Sequence, residues 1–474
     1  MRKTKIVVTC GPALMQGERM VDVLREADTV RLNASHGDLE FRAAALLRVR
    51  KLARELGREI PVFLDLQGPK WRVGKLEKPV TLGVGQCGCF HRPDARPPAD
   101  AAWAAPLPHP ELFTSATPGQ QWLLDDGAIV VEVQSATADR VDARVLVGGD
   151  LKARKGVHPV GGDVAVESVT DKDREDIRWG VENNVDMFAQ SFVRTRADVD
   201  LLTRLITEAG GTSPAIIAKI EHPTALKNLP EILDACWGVM VARGDLGVEL
   251  GVHRVPGLQK QIIEAARKAL KPVITATQML ESMIESPSPT RAEASDVANA
   301  VWDGTDAVML SAESATGKYP VEAVRWLAKI AAEADSEAEK HRDPLPKEIA
   351  AGQSQRVDVN VAFAASRVAE AVGARWIVCF TEGGTVARMV SRLAGRTPVI
   401  AATSDARTAR RVSLLRGVRA LLIPRLSGTD ETVESVRELL QSHQGLVPGD
   451  RVVMTMGLPM WKQGATNTLK VLTI

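Results

Sequence analysis

Short apolar runs alternate along this chain with longer stretches in which apolar residues recur at helical spacing. The runs at residues 5–10, 29–35, 61–67, 186–192, 215–220, 238–243, 272–278 and 306–312 read as strands buried on both faces. Amphipathic helical patterns separate most of them, at 40–56, 197–209, 255–270, 290–302 and 320–334. This alternation predicts a parallel sheet covered by helices. Eight such units, totalling roughly 250 residues, predict closure into a (β/α)8 TIM barrel.

The pattern breaks once. From residue 69 to about 162 the chain turns to short alternating runs, such as Ile129-Val130-Val131-Glu132-Val133, with many Gly and Pro. That predicts a small β-barrel domain inserted in a loop on the ligand-binding face, placed to act as a lid. Residues 93–110, rich in Pro and Ala, read as an irregular or mobile loop. After residue 334 a charged stretch, 335–348, reads as a helix end and linker. Runs at 375–381, 398–403, 418–424 and 450–457 then predict a second, open α/β domain. The expected division is barrel 1–68 and 163–340, lid 69–162, and C-terminal regulatory or oligomerisation domain 341–474.

Composition narrows the class. Sixty Lys and Arg balance 59 Asp and Glu over 474 residues, which argues against a nucleic-acid or membrane-surface partner. There is no long apolar span. The start, Arg2-Lys3-Thr4-Lys5, suits a first strand better than a signal peptide. Five scattered cysteines fit a reducing, cytoplasmic setting. Cys87-Gly88-Cys89 lacks the second Cys or His pair that a metal site needs, so a strand without metal is the better reading.

The candidate chemistry sits where the predicted strands end, the face on which parallel α/β proteins bind ligands. Lys219 and Glu221, two apart on one strand, face the same side. Gly244-Asp245 ends the next strand and enters a turn or short helix, whose N–H groups suit an anion. A lysine among carboxylates is often a structural ion pair, but two carboxylates at neighbouring strand ends can hold Mg²⁺ together with substrate oxygens. Arg31, Asn33 and Ser35 alternate on the second strand; inside a closed barrel, a polar row containing a bidentate phosphate ligand predicts a site. His36 follows them. Thr277 ends the seventh strand and is placed to orient a water for proton transfer. Ser311, at the last strand end, reads equally as substrate contact or helix cap. Together these groups predict Mg²⁺-assisted phosphoryl or enolate chemistry.

The segments KIVVTCGPA, RLNASHG, LDLQGPK, LKARKGVHP, IIAKIE, VMVARGDLGVEL, KPVITATQMLESMI, PTRAEASDVANAVWDGTDAVMLSAES and GKYPVEAV resemble the pyruvate kinase family over nearly the whole chain. The resemblance implies transfer of the phosphoryl group of phosphoenolpyruvate to ADP, giving pyruvate and ATP, the last step of glycolysis. It implies Mg²⁺, with Mn²⁺ as an alternative, and a cytoplasmic homotetramer. It places Arg31 on the transferring phosphoryl group and Lys219 on that group and the developing enolate. Glu221 and Asp245 become Mg²⁺ ligands, and the Gly244 and Asp245 N–H groups hold the substrate carboxylate. Thr277 stands beside the carbon that is protonated, and Ser311 lines the substrate site. Asn33, His36, Arg72 and Lys155 are implied on the nucleotide side.

Some positions depart from the family's pattern. Asp65-Leu66-Gln67-Gly68-Pro69-Lys70 replaces the usual Asp-Thr-Lys-Gly-Pro-Glu. Asn33, Ser35, Asp65 and the Leu66 carbonyl match the oxygens of a monovalent-cation site. Lys70 puts an ammonium where K⁺-dependent members carry a carboxylate, so the expectation is that K⁺ is not required. Ala34 stands for a usual Phe, and Ala312-Glu313-Ser314 for Gly-Glu-Thr. The loop Thr381-Glu382-Gly383-Gly384-Thr385-Val386 resembles the family's effector-phosphate loop, but Glu382 and Val386 predict no strong activation by fructose 1,6-bisphosphate. The alternatives are a non-catalytic regulatory barrel, for which the polar set is too complete, and another Mg²⁺-dependent enolpyruvate-handling barrel enzyme, which would not need Arg72 and Lys155 on a lid.

Overall fold

The computed structural model describes residues 2–99, 101–125, 127–161, 166–341, 355–426, 428–458 and 466–474. Eight parallel strands close into a barrel in sequential order: Lys5–Thr9, Thr29–Asn33, Val62–Asp65, Met187–Gln190, Ile216–Ile220, Gly238–Ala242, Val273–Ala276 and Ala307–Leu310. Each is one to several residues shorter than its apolar run suggests. The polar residues at the ends leave the ladder and enter the loops that form the site. Ser35, expected on the second strand, lies beyond it in a turn, where its N–H donates to Asn33 Oδ1 at 3.1 Å.

The inward face of the strands is filled rather than hollow. Val7, Phe63, Met187, Ala189, Ile217, Met240, Ile274 and Met309 pack along the axis. A strand's period of two carries this face upward into polar positions: Val7 to Thr9, Phe63 to Asp65, and Ile217 to Lys219 to Glu221. The apolar plug is thus the floor of the polar site. On the outer face, the helices Leu39–Glu55, Arg196–Glu208, Val255–Lys268, Arg291–Asp303 and Pro320–His341 seal a second apolar shell. A further helix, Asp171–Glu182, precedes the fourth barrel strand and opens with a Thr170/Asp173 capping box.

The insertion is built mainly of β-strands, as expected, with one short helix, Pro110–Ser115. A six-stranded sheet and a two-stranded ribbon enclose a core around Phe90, Trp103 and Trp122. The Pro/Ala-rich stretch is more ordered than its composition suggests: it contains the strand Ala104–Pro106, paired with Cys87–His91. The expected lid boundary at 162–163 and the linker from 342 onward lie outside the described residues.

The C-terminal domain is a five-stranded sheet, four strands parallel and the last, Thr466–Thr473, antiparallel. It grips the barrel at the starts of its strands. Lys5 Nζ donates to Val418 O at 2.7 Å. Arg410 Nε donates to Asp186 Oδ1 at 2.7 Å, just before the fourth barrel strand. Arg392 bonds Asp306, just before the eighth. Leu414 inserts into the apolar cluster of the barrel interior. The C-terminal domain therefore covers the amino ends of the strands, leaving the carboxyl ends to the lid.

Candidate active site

The polar residues converge at the carboxyl ends of the barrel strands. Lys219 Nζ lies 2.7 Å from Glu221 Oε1 and 3.4 Å from Asp65 Oδ1, and donates to Ser191 Oγ at 2.7 Å. Arg31 Nε donates to Asp65 Oδ2 at 2.7 Å, and its Nη1 donates to Thr9 Oγ1 at 3.1 Å. Glu221 Oε2 accepts the Phe192 N–H at 2.9 Å. Little of this cluster reaches solvent: the side chains of Lys219, Asp65 and Glu221 are 12%, 2% and 5% exposed.

Burial and charge act against each other here. Burial would strip the proton from Lys219, but Asp65, then Glu221 and Asp245, hold the ammonium above its ordinary value. Burial likewise raises Asp65, and Lys219 and Arg31 more than reverse it, leaving the carboxyl below the usual range. Glu221 is raised, first by burial, with Lys219 opposing and Asp245 adding like-charge repulsion. The pair Glu221 and Asp245 is therefore a place where a divalent cation relieves repulsion. Asp65 Oδ1 accepts no hydrogen bond among the described residues and has only the 3.4 Å ion pair with Lys219. Among those residues no group of three or more His, Cys, Asp or Glu side chains is close enough to hold a metal by itself. Two carboxylates with substrate oxygens fit Mg²⁺, which keeps few protein ligands.

Thr277 lies one residue past the seventh strand with φ at +69°, and Gln278 follows at +53°. A β-branched residue in that region is strained, and such strain gathers at functional sites. Hydrogen bonds hold it. Its hydroxyl donates to Ala276 O at 2.6 Å and accepts the Gly244 N–H at 2.9 Å, while its carbonyl accepts Arg243 Nη2 at 2.6 Å. The Gly244 N–H, expected to face substrate, thus has a side-chain partner. Asp245 stands in the first turn of the helix Arg243–Leu250. Arg243 adjoins Gly244-Asp245 but gives no signal of its own in the sequence pattern. It is buried, pairs with Asp296 at 2.7 Å, and fixes the sixth and seventh strand ends together.

A cavity of about 480 Å³ joins Arg31, Asn33, His36 and Ser311 at the same mouth. Asn33 Nδ2 and His36 Nδ1 are 3.0 Å apart. Burial, then the charges of Lys70, Arg31 and Arg72, lower the His36 pKa, so all three cations lie within electrostatic reach of it. Lys70 is exposed, and its charge also acts on Asp65. Of the expected cation-site oxygens, Asp65 Oδ2 is taken by Arg31, Asn33 Oδ1 by the Ser35 N–H, and the Leu66 carbonyl by the Ser191 hydroxyl at 2.8 Å. Ser311 precedes the helix Ala312–Ala315 without a side-chain cap, and its N–H donates to Glu313 Oε2 at 2.7 Å.

On the lid, Arg72 bridges to Gly156, and the Val73 N–H donates to Lys155 O at 2.9 Å, so Arg72 and Lys155 lie on adjacent segments. Lys155 is held by Asp125 at 2.7 Å. Its described partner is in the lid, whereas the charge of Arg72 acts on His36 of the barrel.

Residues 1–324 match the family model "pyruvate kinase, barrel domain", and residues 360–472 match "pyruvate kinase, alpha/beta domain". The chain belongs to the pyruvate kinase family. It is 40% identical over 473 residues to a pyruvate kinase of Agrobacterium vitis, covering 99% of this chain and 98% of that one. It is 38% identical over 478 residues to the pyruvate kinase of Thermotoga maritima, with full coverage of both. The crystal structure of a pyruvate kinase from Cryptosporidium parvum superposes with a TM-score of 0.90 at 32% identity, covering 100% of this chain and 96% of that one. In this chain the polar cluster occupies the carboxyl end of the barrel, as expected from the strand ends.

Proposed function

We propose that the cluster at the barrel mouth transfers the phosphoryl group of phosphoenolpyruvate to ADP. The observation that carries this reading is Lys219, held charged between Asp65 and Glu221, with Arg31 on the same Asp65 carboxylate. An oxygen of the ADP β-phosphate bonds to phosphorus as the bond from phosphorus to the enol oxygen breaks, leaving ATP and the enolate of pyruvate. Lys219 and Arg31 neutralise charge that moves across the transferring group, so catalysis is positioning plus electrostatic stabilisation. Glu221 and Asp245 would hold Mg²⁺, or Mn²⁺ in its place, which supplies charge neutralisation to phosphate and enolate oxygens.

The substrate carboxylate goes to the first turn of the helix Arg243–Leu250, competing with Thr277 Oγ1 for the Gly244 N–H. Thr277 then orients the water that protonates the enolate carbon, with Ser311 lining the pocket. Asn33, His36, Arg72 and Lys155 take the nucleotide phosphates.

Lys70 supplies positive charge close to Asp65 and His36, and the protein's own donors satisfy much of the cation-site oxygen set. Both support activity without K⁺. The completeness of the cluster favours turnover over a barrel that retains only regulatory binding. A homotetramer in the cytoplasm belongs to this reading; none of the five cysteines forms a disulfide, and among the described residues no helix is long and apolar enough to cross a membrane. The test is a coupled assay with phosphoenolpyruvate, ADP and Mg²⁺. Absence of pyruvate and ATP formation from folded protein would reject the proposal.

A further inference from the structure

The chain crosses from the barrel into the lid between Gly68 and Trp71. Both sides of that crossing rest on Ser191 and Phe192, which follow the strand Met187–Gln190. Ser191 Oγ donates to the Leu66 carbonyl at 2.8 Å, just ahead of the crossing. Gly68 has φ at +66°, and a Cβ there would stand 3.0 Å from Ser191 Cβ and 3.1 Å from Phe192 Cδ2, so a side chain would hold the crossing off. Beyond it, the Trp71 and Phe192 rings meet edge to face, with centroids 6.1 Å apart and planes at 74°.

Trp71 is fastened to the lid. Its Nε1 donates to Glu111 Oε1 at 2.8 Å, its carbonyl accepts the Val157 N–H at 3.0 Å, and the following Arg72 N–H donates to His109 Nε2 at 2.9 Å. Phe192 is fastened to the barrel site. Its φ is +57°, a region that a bulky side chain rarely takes, and in that conformation its N–H donates to Glu221 Oε2 at 2.9 Å. The neighbouring Ser191 hydroxyl accepts Lys219 Nζ at 2.7 Å, and Lys219 also lies 2.7 Å from Glu221 Oε1. Each Glu221 oxygen therefore has one donor that fixes the carboxylate, and each keeps a lone pair to offer. A phenylalanine left to itself would relax to negative φ and withdraw the N–H. Its ring, lying against both Gly68 and Trp71, opposes that relaxation.

We propose that Phe192 and Trp71 are positioning residues for the divalent cation: Trp71 holds the Phe192 ring, the ring holds the strained backbone, and the backbone N–H aims Glu221. The inference rests on the reading of Glu221 as a Mg²⁺ ligand. It adds two residues, one of them in the lid, that act on the ion only through that carboxylate. Partners that orient a metal ligand in this way affect metal affinity strongly.

Binding of Mn²⁺ alone to the full chain, followed by the electron paramagnetic resonance of the free ion, tests the proposal without turnover. E221Q is the control for the underlying reading and should weaken Mn²⁺ at least about tenfold. W71A and F192A should each weaken it at least about fivefold. W71F keeps a ring against Phe192 while giving up the Glu111 bond, and should stay within about twofold of wild type. A merely structural role would lower the melting temperature and leave Mn²⁺ affinity where it was. F192A leaves the lid's own contacts to Trp71 in place, so it decides the matter if W71A fails to fold. Weak binding in E221Q with wild-type affinity in F192A would overturn this inference and leave Glu221 as a ligand; wild-type affinity in E221Q would overturn both. A loss in W71F as large as in W71A would show that the ring contact is not what positions Phe192, and would also overturn it.

Discussion

His158 in the lid and Glu249 in the barrel are joined by a 2.6 Å contact between Nε2 and Oε1, the two residues lying 91 positions apart. Glu249 Oε2 is buried and accepts nothing else among the described residues. The pair is a latch between lid and barrel, close to the carboxylates of the site.

The latch should depend on pH. Burial works against the imidazolium, but the Glu249 hydrogen bond and charge, then Asp245 and Glu221, hold the His158 pKa above its ordinary value. A folded pKa raised in this way gives stability that is complete below the unfolded value of about 6.5, and is lost as pH rises through the folded one. Wild type should therefore melt above H158Q in mildly acidic buffer, by about 1–3 kcal/mol of stability. The difference should narrow on the alkaline side; a gap that does not change with pH would show that the charge is irrelevant.

Removing the central ammonium should be costly to chemistry. K219M is expected to lose roughly a hundredfold or more in turnover, since it deletes charge that compensates the transferring phosphoryl group. It also leaves Asp65 and Glu221 buried without that partner, so the variant should melt lower, with Mg²⁺ recovering part of the loss. Retention of more than about a tenth of wild-type turnover would remove Lys219 from the role assigned to it.

T277A separates two steps. The alanine keeps the strained backbone position but frees the Gly244 N–H and removes the hydroxyl that orients water. Phosphoryl transfer should fall less than exchange of the pyruvate methyl hydrogens with solvent, which reports the proton step alone. Equal losses in the two assays would place Thr277 in positioning of the phosphoryl group.

Lys70 should make K⁺ unnecessary. Full activity is expected in buffer containing only a bulky organic counter-cation, while K70E should acquire at least partial dependence on added K⁺. The charge change of about two units lies within reach of Asp65 and His36, where it is weakly screened. A wild-type enzyme nearly silent until K⁺ is added would sink this assignment.

The barrel was legible because its strands are buried on both faces and therefore form near-continuous apolar runs. Their true ends were harder to read. Thr277 and Ser311 follow apolar runs directly and Ser35 continues an alternating row, and only backbone geometry shows that they have left the ladder. The strand Thr466–Thr473 escaped notice because its residues are mostly half-buried or exposed, which leaves no clean alternation. Ala104–Pro106 was masked by composition, being a short strand in a Pro/Ala stretch. Candidate site residues were legible by residue type and spacing, whereas their partners were not. Asp65 beside Lys219, Ser191 beneath it, and His158 on Glu249 are meetings between distant segments that no local pattern records.

The C-terminal domain holds the strands by their first residues, and the chemistry sits at their last. A barrel strand of five residues spans about 16 Å, so side chains at the two ends cannot touch. Hydrogen bonding to both neighbours also prevents such a strand from stretching. Any mechanical communication between the two ends must then travel as a tilt or slide of whole strands, with the barrel serving as a stiff shaft instead of a relay of side chains.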